Sequence, residues 1–248
     1  MTQPSPDLCV IAPCFNESPN ILPLVRRVGD ALRTHPGGFE LVLVDDASTD
    51  DTWEQIGRAA AENPFVRSLR HRENRGIVEG WRSGLLSSDA HRFVTIDADL
   101  QYRPEDIPRL VAAMDERRAD FVQGWRKTQV SRGRLRAFLT WGLSGALNVL
   151  FGTRLKDNKS GFVLYTRQCL SAVLDFRFSY RYFQHFIAIA AHRLGFMIVQ
   201  VPVVFDDRAA GHSFIKSPLR FSLQSLPDFP KAFWEFLIMR RLPSRKRA

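Results

Sequence analysis

The residues in this chain best suited to chemistry are acids that end apolar runs. Phe93-Val94-Thr95-Ile96 is rich in aromatic and β-branched side chains and bounded by polar turns, the composition of a buried strand, and it stops at Asp97-Ala98-Asp99-Leu100-Gln101. Glu40 to Val44 is a second such run, and it stops at Asp45-Asp46. Ligands of open α/β sheets bind at the C-terminal edge of the strands, so Asp97 and Asp99 fall where a metal-bound phosphate would sit. Asp97, Asp99 and Gln101 offer only hard oxygen ligands, which suits Mg2+ or Mn2+ and disfavours zinc. Alternate residues of an extended segment point the same way, so the spacing predicts that these three side chains converge on one ligand. A solvated loop also carries Asp-x-Asp. The second acidic strand end is what makes a nucleotide cleft the better reading.

The surrounding pattern supplies the elements that must hold these acids. Leu8 to Pro13 reads as a first buried strand that Pro13 ends, having no N–H to give a ladder. A polar loop, Asn16-Glu17-Ser18-Pro19-Asn20, follows, with Asn20 as helix N-cap and Pro23 at the third helical position, where a missing N–H costs no bond. Ile21, Leu24, Val25, Val28 and Leu32 then recur on one helix face, which His35-Pro36-Gly37-Gly38 stops. After Asp45-Asp46, Asp51 with Glu54 forms a capping box. Val66 to Leu69 is a third strand, leading through Asn74-Arg75-Gly76 into a helix to Leu86. Pro104 opens the helix after the acid pair, with Ile107, Leu110, Val111 and Met114 on one face, and Phe121 to Trp125 is a fifth strand. The alternation predicts βαβ units, hence an α/β fold on a parallel sheet with right-handed crossovers. Beyond Arg126 the pattern is irregular: a helix from Ala137 to Phe151, a strand near Phe162 to Tyr165, a helix around Arg181 to Leu194, a strand from Met197 to Phe205, a polar loop and a terminal helix.

At 248 residues, 45% hydrophobic and 25% charged, the chain has a globular composition, and its net charge of +9 asks for an anionic partner: nucleic acid, a membrane surface or a phosphorylated substrate. Cys9, Cys14 and Cys169, odd in number and without CxxC spacing, encode neither a disulfide framework nor a zinc site and suit a reducing compartment. No run reaches the roughly 18 to 20 apolar residues of a membrane span. The first residues show no export pattern, so a cytoplasmic location is expected. No Pro/Gly-rich linker appears. The expectation is one domain over residues 1–215 and a basic, amphipathic extension over 216–248.

Four motifs in order, Pro13-Cys14-Phe15-Asn16-Glu17, Val44-Asp45-Asp46-Ala47-Ser48-Thr49-Asp50, Asp97-Ala98-Asp99-Leu100-Gln101 and Ser160-Gly161-Phe162, resemble those of family 2 glycosyltransferases of the GT-A fold. Within that family the chain is most similar to the dolichyl- and polyprenyl-phosphate sugar transferases, over residues 8–215. The resemblance implies a mainly parallel central sheet flanked by helices, with amphipathic C-terminal helices. It also implies that Pro13, Phe15 and Glu17 line the nucleoside, that Val44 and Asp46 hold base and ribose, and that Asp97 and Ala98 contact the nucleotide. Asp99 with Gln101 would bind the metal on the diphosphate. Arg126 matches a diphosphate-binding arginine, and Arg208 the arginine of the family's mobile loop. One departure stands in that loop, Arg208-Ala209-Ala210-Gly211-His212-Ser213-Phe214, where the family has lysine at the position of Phe214; the nearest lysine is Lys216.

The implied activity is inverting, metal-dependent transfer of a hexose from a nucleotide sugar, GDP-mannose or a UDP-sugar, to a polyprenyl or dolichyl phosphate. A lipid phosphate, with its second pKa near ~6, is already an ionised nucleophile and needs no protein base, which agrees with the lack of an obvious base triad. A sugar hydroxyl acceptor, as in polysaccharide or glycolipid synthesis, would need one, and His185, His192 and His212 would be the candidates. Arg126, Lys127, Arg132, Arg134 and Arg136 beside one apolar helix, and Arg240, Arg241, Arg245, Lys246 and Arg247 after another, suit peripheral attachment to the anionic inner face of a membrane. A nucleic-acid-binding protein would interleave arginines with exposed aromatics. Here the aromatics sit mostly in apolar runs, so no nucleic-acid partner is expected. A homo-oligomer is compatible with the sequence.

Overall fold

The first strand shows why the sheet is covered on both sides. In β1 (Leu8–Cys14), Leu8, Val10, Ala12 and Cys14 enter one apolar layer, while Cys9 and Ile11 enter the other. The computed structural model describes residues 5–126, 145, 147–158, 160–207 and 227–239. Along the chain the other strands are β2 (Phe39–Asp45), β3 (Val66–Arg70), β4 (Arg92–Thr95), β5 (Phe121–Arg126), β6 (Val163–Thr166) and β7 (Ile198–Val203). They form one seven-stranded sheet in the order β3-β2-β1-β4-β6-β5-β7. All pairings are parallel except those of β6, which runs antiparallel to β4 and β5.

Helices α1 (Ser18–Leu32), α2 (Thr52–Glu62) and α4 (Ile107–Arg117) cover one face. The other carries α3 (Ile77–Ser87), α5 (Arg167–Leu174), α6 (Ile187–Arg193) and α7 (Asp228–Phe233), which continues as a π turn over Trp234–Met239. Helix α3 lies close on β1 through glycines: a Cβ on Gly84 would stand 2.5 Å from Ile11 Cγ2, and one on Gly80 would stand 2.8 Å from Pro13.

The predicted apolar faces of α1 and α4 are the buried ones. Several boundaries differ for identifiable reasons. Pro13 does not end β1, whose pairing with β2 continues to Cys14 and Asp45. On the β4 side pairing stops at Ile11 and Thr95, with a last bond from Ile96 N–H to Ile11 O at 3.1 Å. The Pro13 nitrogen faces that side, where no ladder partner remains.

Helix α1 starts two residues before Asn20, with Glu17 at the N-cap and Pro23 inside the helix. Residues at the start of α2 and in the loop before it take the cap's place: Thr52 Oγ1 accepts from Glu17 N–H at 2.9 Å and Asp50 from Ser18 N–H at 3.3 Å. Asp51 makes no capping bond either. Asp50 Oδ1 accepts the Thr52 N–H at 3.0 Å instead, so the capping box does not form. Helix α5 was hidden in the irregular half, and the helix expected around Arg181 is a 3-10 turn at Phe183–His185 followed by α6. Of the helix expected over 137–151, only 145 and 147–151 are described, and they are helical. The remainder, the loop from Arg208 and the basic stretches 127–136 and 240–248 lie outside the described residues.

Candidate active site

The C-terminal edge of the parallel strands collects the predicted motifs. The loops after β1 and β2 are laced together: Asn16 N–H donates to Ser48 Oγ at 3.0 Å, and Asn16 Oδ1 accepts the Thr49 N–H at 2.8 Å. Asn16, Ala47 and Leu100 have left-handed backbone, with φ of 56°, 61° and 62°. Each belongs to a different loop of this edge, and strain of this kind persists only where surrounding contacts hold it.

Asp46 is bound by groups that sequence reasoning missed. Its Oδ1 accepts from His71 Nδ1 at 2.7 Å and from Arg75 N–H at 2.8 Å, and its Oδ2 from Gly76 N–H at 2.8 Å. His71 Nε2 in turn meets Ser83 Oγ at 2.8 Å. The signal lay in Asn74-Arg75-Gly76: Gly76 has φ 86°, a turn that presents two successive N–H groups to the carboxylate. Asp45 is fully buried, accepts the Ser48 N–H at 3.1 Å and pairs with Arg70 at 3.0 Å. Beside these acids an open cleft of about 520 Å3 is lined by Ala47, Ser48, Arg70, His71 and Arg72.

After β4 the backbone does not stay extended. Ala98 and Asp99 form a turn, so the alternation that was to align Asp97, Asp99 and Gln101 does not operate. Asp99, 6% exposed, accepts the Gln101 N–H on Oδ1 at 3.1 Å. Gln101 donates its side-chain amide to Asp206 O at 3.2 Å, and Arg103 pairs with the Asp206 carboxylate at 2.6 and 2.7 Å. The hydrogen bonds from Arg103 hold the Asp206 carboxyl below the ordinary aspartate value.

Because β6 runs against its neighbours, its N-terminal end reaches this edge and brings Ser160-Gly161 with it. Thr95 Oγ1 donates to Gly161 O at 2.7 Å, and Gln123 Nε2 to Ser160 O at 3.0 Å. A Cβ on Gly161 would stand 3.9 Å from Asp97 Oδ1 and 3.6 Å from Trp81, so the acid turn, α3 and this loop meet there.

Arg126 ends β5 above an aromatic wall in which Tyr102 packs on Phe162 and Phe205 at 5.2 and 4.9 Å; its guanidinium lies 5.1 Å over Phe205. It pairs in two bonds, 2.7 and 3.1 Å, with Asp157, a partner not foreseen from sequence. Burial disfavours the charged guanidinium, but the charge and two hydrogen bonds of Asp157, with the charge of Asp97, raise its pKa above the ordinary arginine value.

Of the other predicted residues, Pro13 and Phe15 are half-buried at the end of β1 and Glu17 accepts from Asn20 Nδ2 at 2.6 Å. Val44 is fully buried and Ala98 is 3% exposed, so both meet the edge chiefly as backbone. His185 is buried beside Tyr182, at 6.1 Å between rings, and burial lowers the His192 pKa. Arg208, His212 and Lys216 lie outside the described residues. Among the described residues no group of three His, Cys, Asp or Glu side chains encloses a metal. The oxygen donors of Asp99 and Gln101 are of the hard type that suits Mg2+ or Mn2+.

Residues 9–182 match the family described as Glycosyl transferase family 2. The chain belongs to that family. This family 2 chain is 30% identical over 199 residues to the dodecaprenyl-phosphate galacturonate synthase of Rhizobium johnstonii, covering 78% of this chain and 58% of that protein. It therefore spans less than two thirds of that relative's length. It is 32% identical over 213 residues to the undecaprenyl-phosphate mannosyltransferase of Micrococcus luteus, covering 82% of this chain and 85% of the relative. Among solved structures it superposes on glucosyl-3-phosphoglycerate synthase of Mycobacterium tuberculosis in complex with Mn2+, UDP and glucosyl-3-phosphoglycerate. The TM-score is 0.69 at 22% identity, covering 97% of this chain and 82% of that one. The family 2 chain thus has the GT-A fold expected from its motifs.

Proposed function

We propose that this family 2 chain transfers a hexose, with inversion, from a nucleotide sugar to a polyprenyl phosphate. One observation carries the reading: the Asp97–Gln101 turn, the paired Arg126 and the laced loops after β1 and β2 lie along one sheet edge, with an open cleft at its β2 and β3 end. The names of the two relatives, both sugar transferases of polyprenyl phosphates, support the acceptor class.

The acceptor's phosphate oxygen attacks the anomeric carbon, the bond from that carbon to the diphosphate breaks, and its electron pair leaves with the nucleoside diphosphate. Negative charge grows on the leaving group. Arg126 answers it with a cation held in place by Asp157, and Arg208 is assigned the same task from the loop after β7. Asp99 and Gln101 would hold Mg2+ or Mn2+, which would supply a Lewis acid to the diphosphate, and Asp97 with Ala98 contacts the nucleotide. Pro13, Phe15 and Glu17 line the nucleoside. Asp46, tied to His71 and Gly76, orders the wall that base and ribose enter. The ionised lipid phosphate needs no general base. Such an acceptor places the protein at the anionic inner face of a membrane; among the described residues no helix is long and apolar enough to cross one.

The test is a thermal-shift screen of GDP- and UDP-sugars with Mn2+, followed by transfer from the stabilising donor to a polyprenyl phosphate. A bound donor stabilises the fold in proportion to occupancy. Stabilisation by a nucleotide sugar without sugar transfer to the lipid phosphate, under conditions where a glycan hydroxyl is glycosylated, overturns the acceptor assignment.

A further inference from the structure

The segment Asp228–Met239 has two faces of opposite construction. Inward, Ala232 and Phe236 join the apolar layer of α3, α5 and α6, and two acids are buried with them, Asp228 at 1% and Glu235 at 0% exposure. Glu235 accepts the Arg177 N–H at 2.9 Å, the Phe178 N–H at 3.5 Å and the Tyr180 hydroxyl at 2.8 Å. Asp228 accepts the N–H groups of Arg181 and Tyr182, each at 2.9 Å, and Lys231 Nζ at 3.3 Å. Buried carboxylates are tolerated only when satisfied in this way. The loop from Arg177 to Tyr182 therefore clamps the helix to the body of the protein.

Outward, Phe233, Trp234, Ile238 and Met239 are 40%, 54%, 47% and 41% exposed. The π turn explains how four large apolar side chains share that side. Its wider turn, with i to i+5 hydrogen bonds, brings Ile238 and Met239 back toward the side of Phe233 and Trp234. An α turn would place Met239 one turn after buried Glu235, on the inward face.

We propose that this outward face is a docking surface for an anionic lipid bilayer. Charge chooses a bilayer over a protein partner or a second copy. Met239 is followed by Arg240-Arg241-Leu242-Pro243-Ser244-Arg245-Lys246-Arg247, and no acid occurs after Glu235. Apolar side chains enter the acyl boundary while cations meet headgroup phosphates, and Trp234 is of the type that settles at that interface. The proposal rests on the lipid-phosphate reading for its purpose, since the acceptor has to be met at the membrane, but docking is measurable without transfer.

The experiment uses the full chain with phosphatidylcholine vesicles, with and without phosphatidylglycerol. The triple variant Phe233→Ser, Trp234→Ser, Ile238→Ser is expected to bind phosphatidylglycerol vesicles at least about tenfold more weakly than the wild type. Replacing Arg240, Arg241, Arg245, Lys246 and Arg247 by Gln is expected to abolish the preference for phosphatidylglycerol. A second readout leaves the surface intact: an environment-sensitive dye on Ile238→Cys, selective because Cys9, Cys14 and Cys169 are buried, shifts to the blue on adding vesicles, while the dye on exposed Arg58→Cys does not. An unshifted Ile238→Cys label overturns the proposal. So does undiminished binding by the triple variant, or a wild type that ignores vesicles but forms a dimer that the triple variant dissolves. Transfer to a water-soluble short-chain polyprenyl phosphate without vesicles separates the two readings: its failure in the wild type sinks the lipid-phosphate assignment and leaves docking standing.

Discussion

Gln101 and Asp206 are joined twice, the Asp206 N–H donating to Gln101 O at 2.9 Å and the Gln101 amide donating to Asp206 O at 3.2 Å. These bonds, with the isolated bridge between Tyr102 and Phe205, fasten the segment after β7 to the acid turn. The last described residues before Arg208 are therefore registered against the acid turn.

That junction has a pH signature. Arg103 depresses the Asp206 pKa below 3.8, so the pair's contribution is full above about pH 5 and fades as pH falls through the depressed folded value. The pair is exposed, so the effect is small and screened by salt. Urea midpoints of wild type and Asp206→Asn should converge between pH ~5 and ~2, and should also converge at high salt. A gap independent of both removes this ion pair from the account.

The acid turn predicts a loss of activity without loss of fold. Asp97→Ala and Asp99→Ala should each lower transfer at least about a hundredfold, since charge stabilisation at the leaving group is the largest single contribution such sites make. Turnover of a nucleotide sugar surviving both changes would falsify the site assignment.

Arg126 and Asp157 should behave as a buried pair. Asp157→Ala leaves a mostly buried guanidinium without its two bonds and should cost about 3 kcal/mol in urea unfolding. Arg126→Met together with Asp157→Leu should recover most of that stability while donor turnover stays low. A double variant as unstable as Asp157→Ala alone contradicts this account.

Two glycines make opposite predictions. Gly84→Ala drives a methyl to 2.5 Å from Ile11 Cγ2 and should destabilise by about 1 to 3 kcal/mol. Gly57→Ala, in α2 with nothing within 4 Å of the added carbon, should stabilise by about 0.5 to 1 kcal/mol. Thermal midpoints moving in the same direction would contradict the close approach of α3 to β1.

The sequence by itself determined what local periodicity encodes. The runs at Leu8, Glu40 and Phe93 are strands because each carries apolar side chains for two faces, and the acids that end the runs at Glu40 and Phe93 lie at one edge because parallel strands share a direction. Those acids, with the motifs around them, were enough to read the family. Only the tertiary structure decided which groups hold the acids. Arg126 finds Asp157 31 residues away, Asp46 takes His71 and Gly76 across 25 and 30, and Gln101 reaches Asp206 across 105. No local pattern specifies such pairs, because they depend on the path of the chain between them. The antiparallel entry of β6 is the plainest case. Its four residues read only as a strand, yet its direction carries Ser160-Gly161 to the acid turn, and direction is set by the sheet neighbours a strand finds.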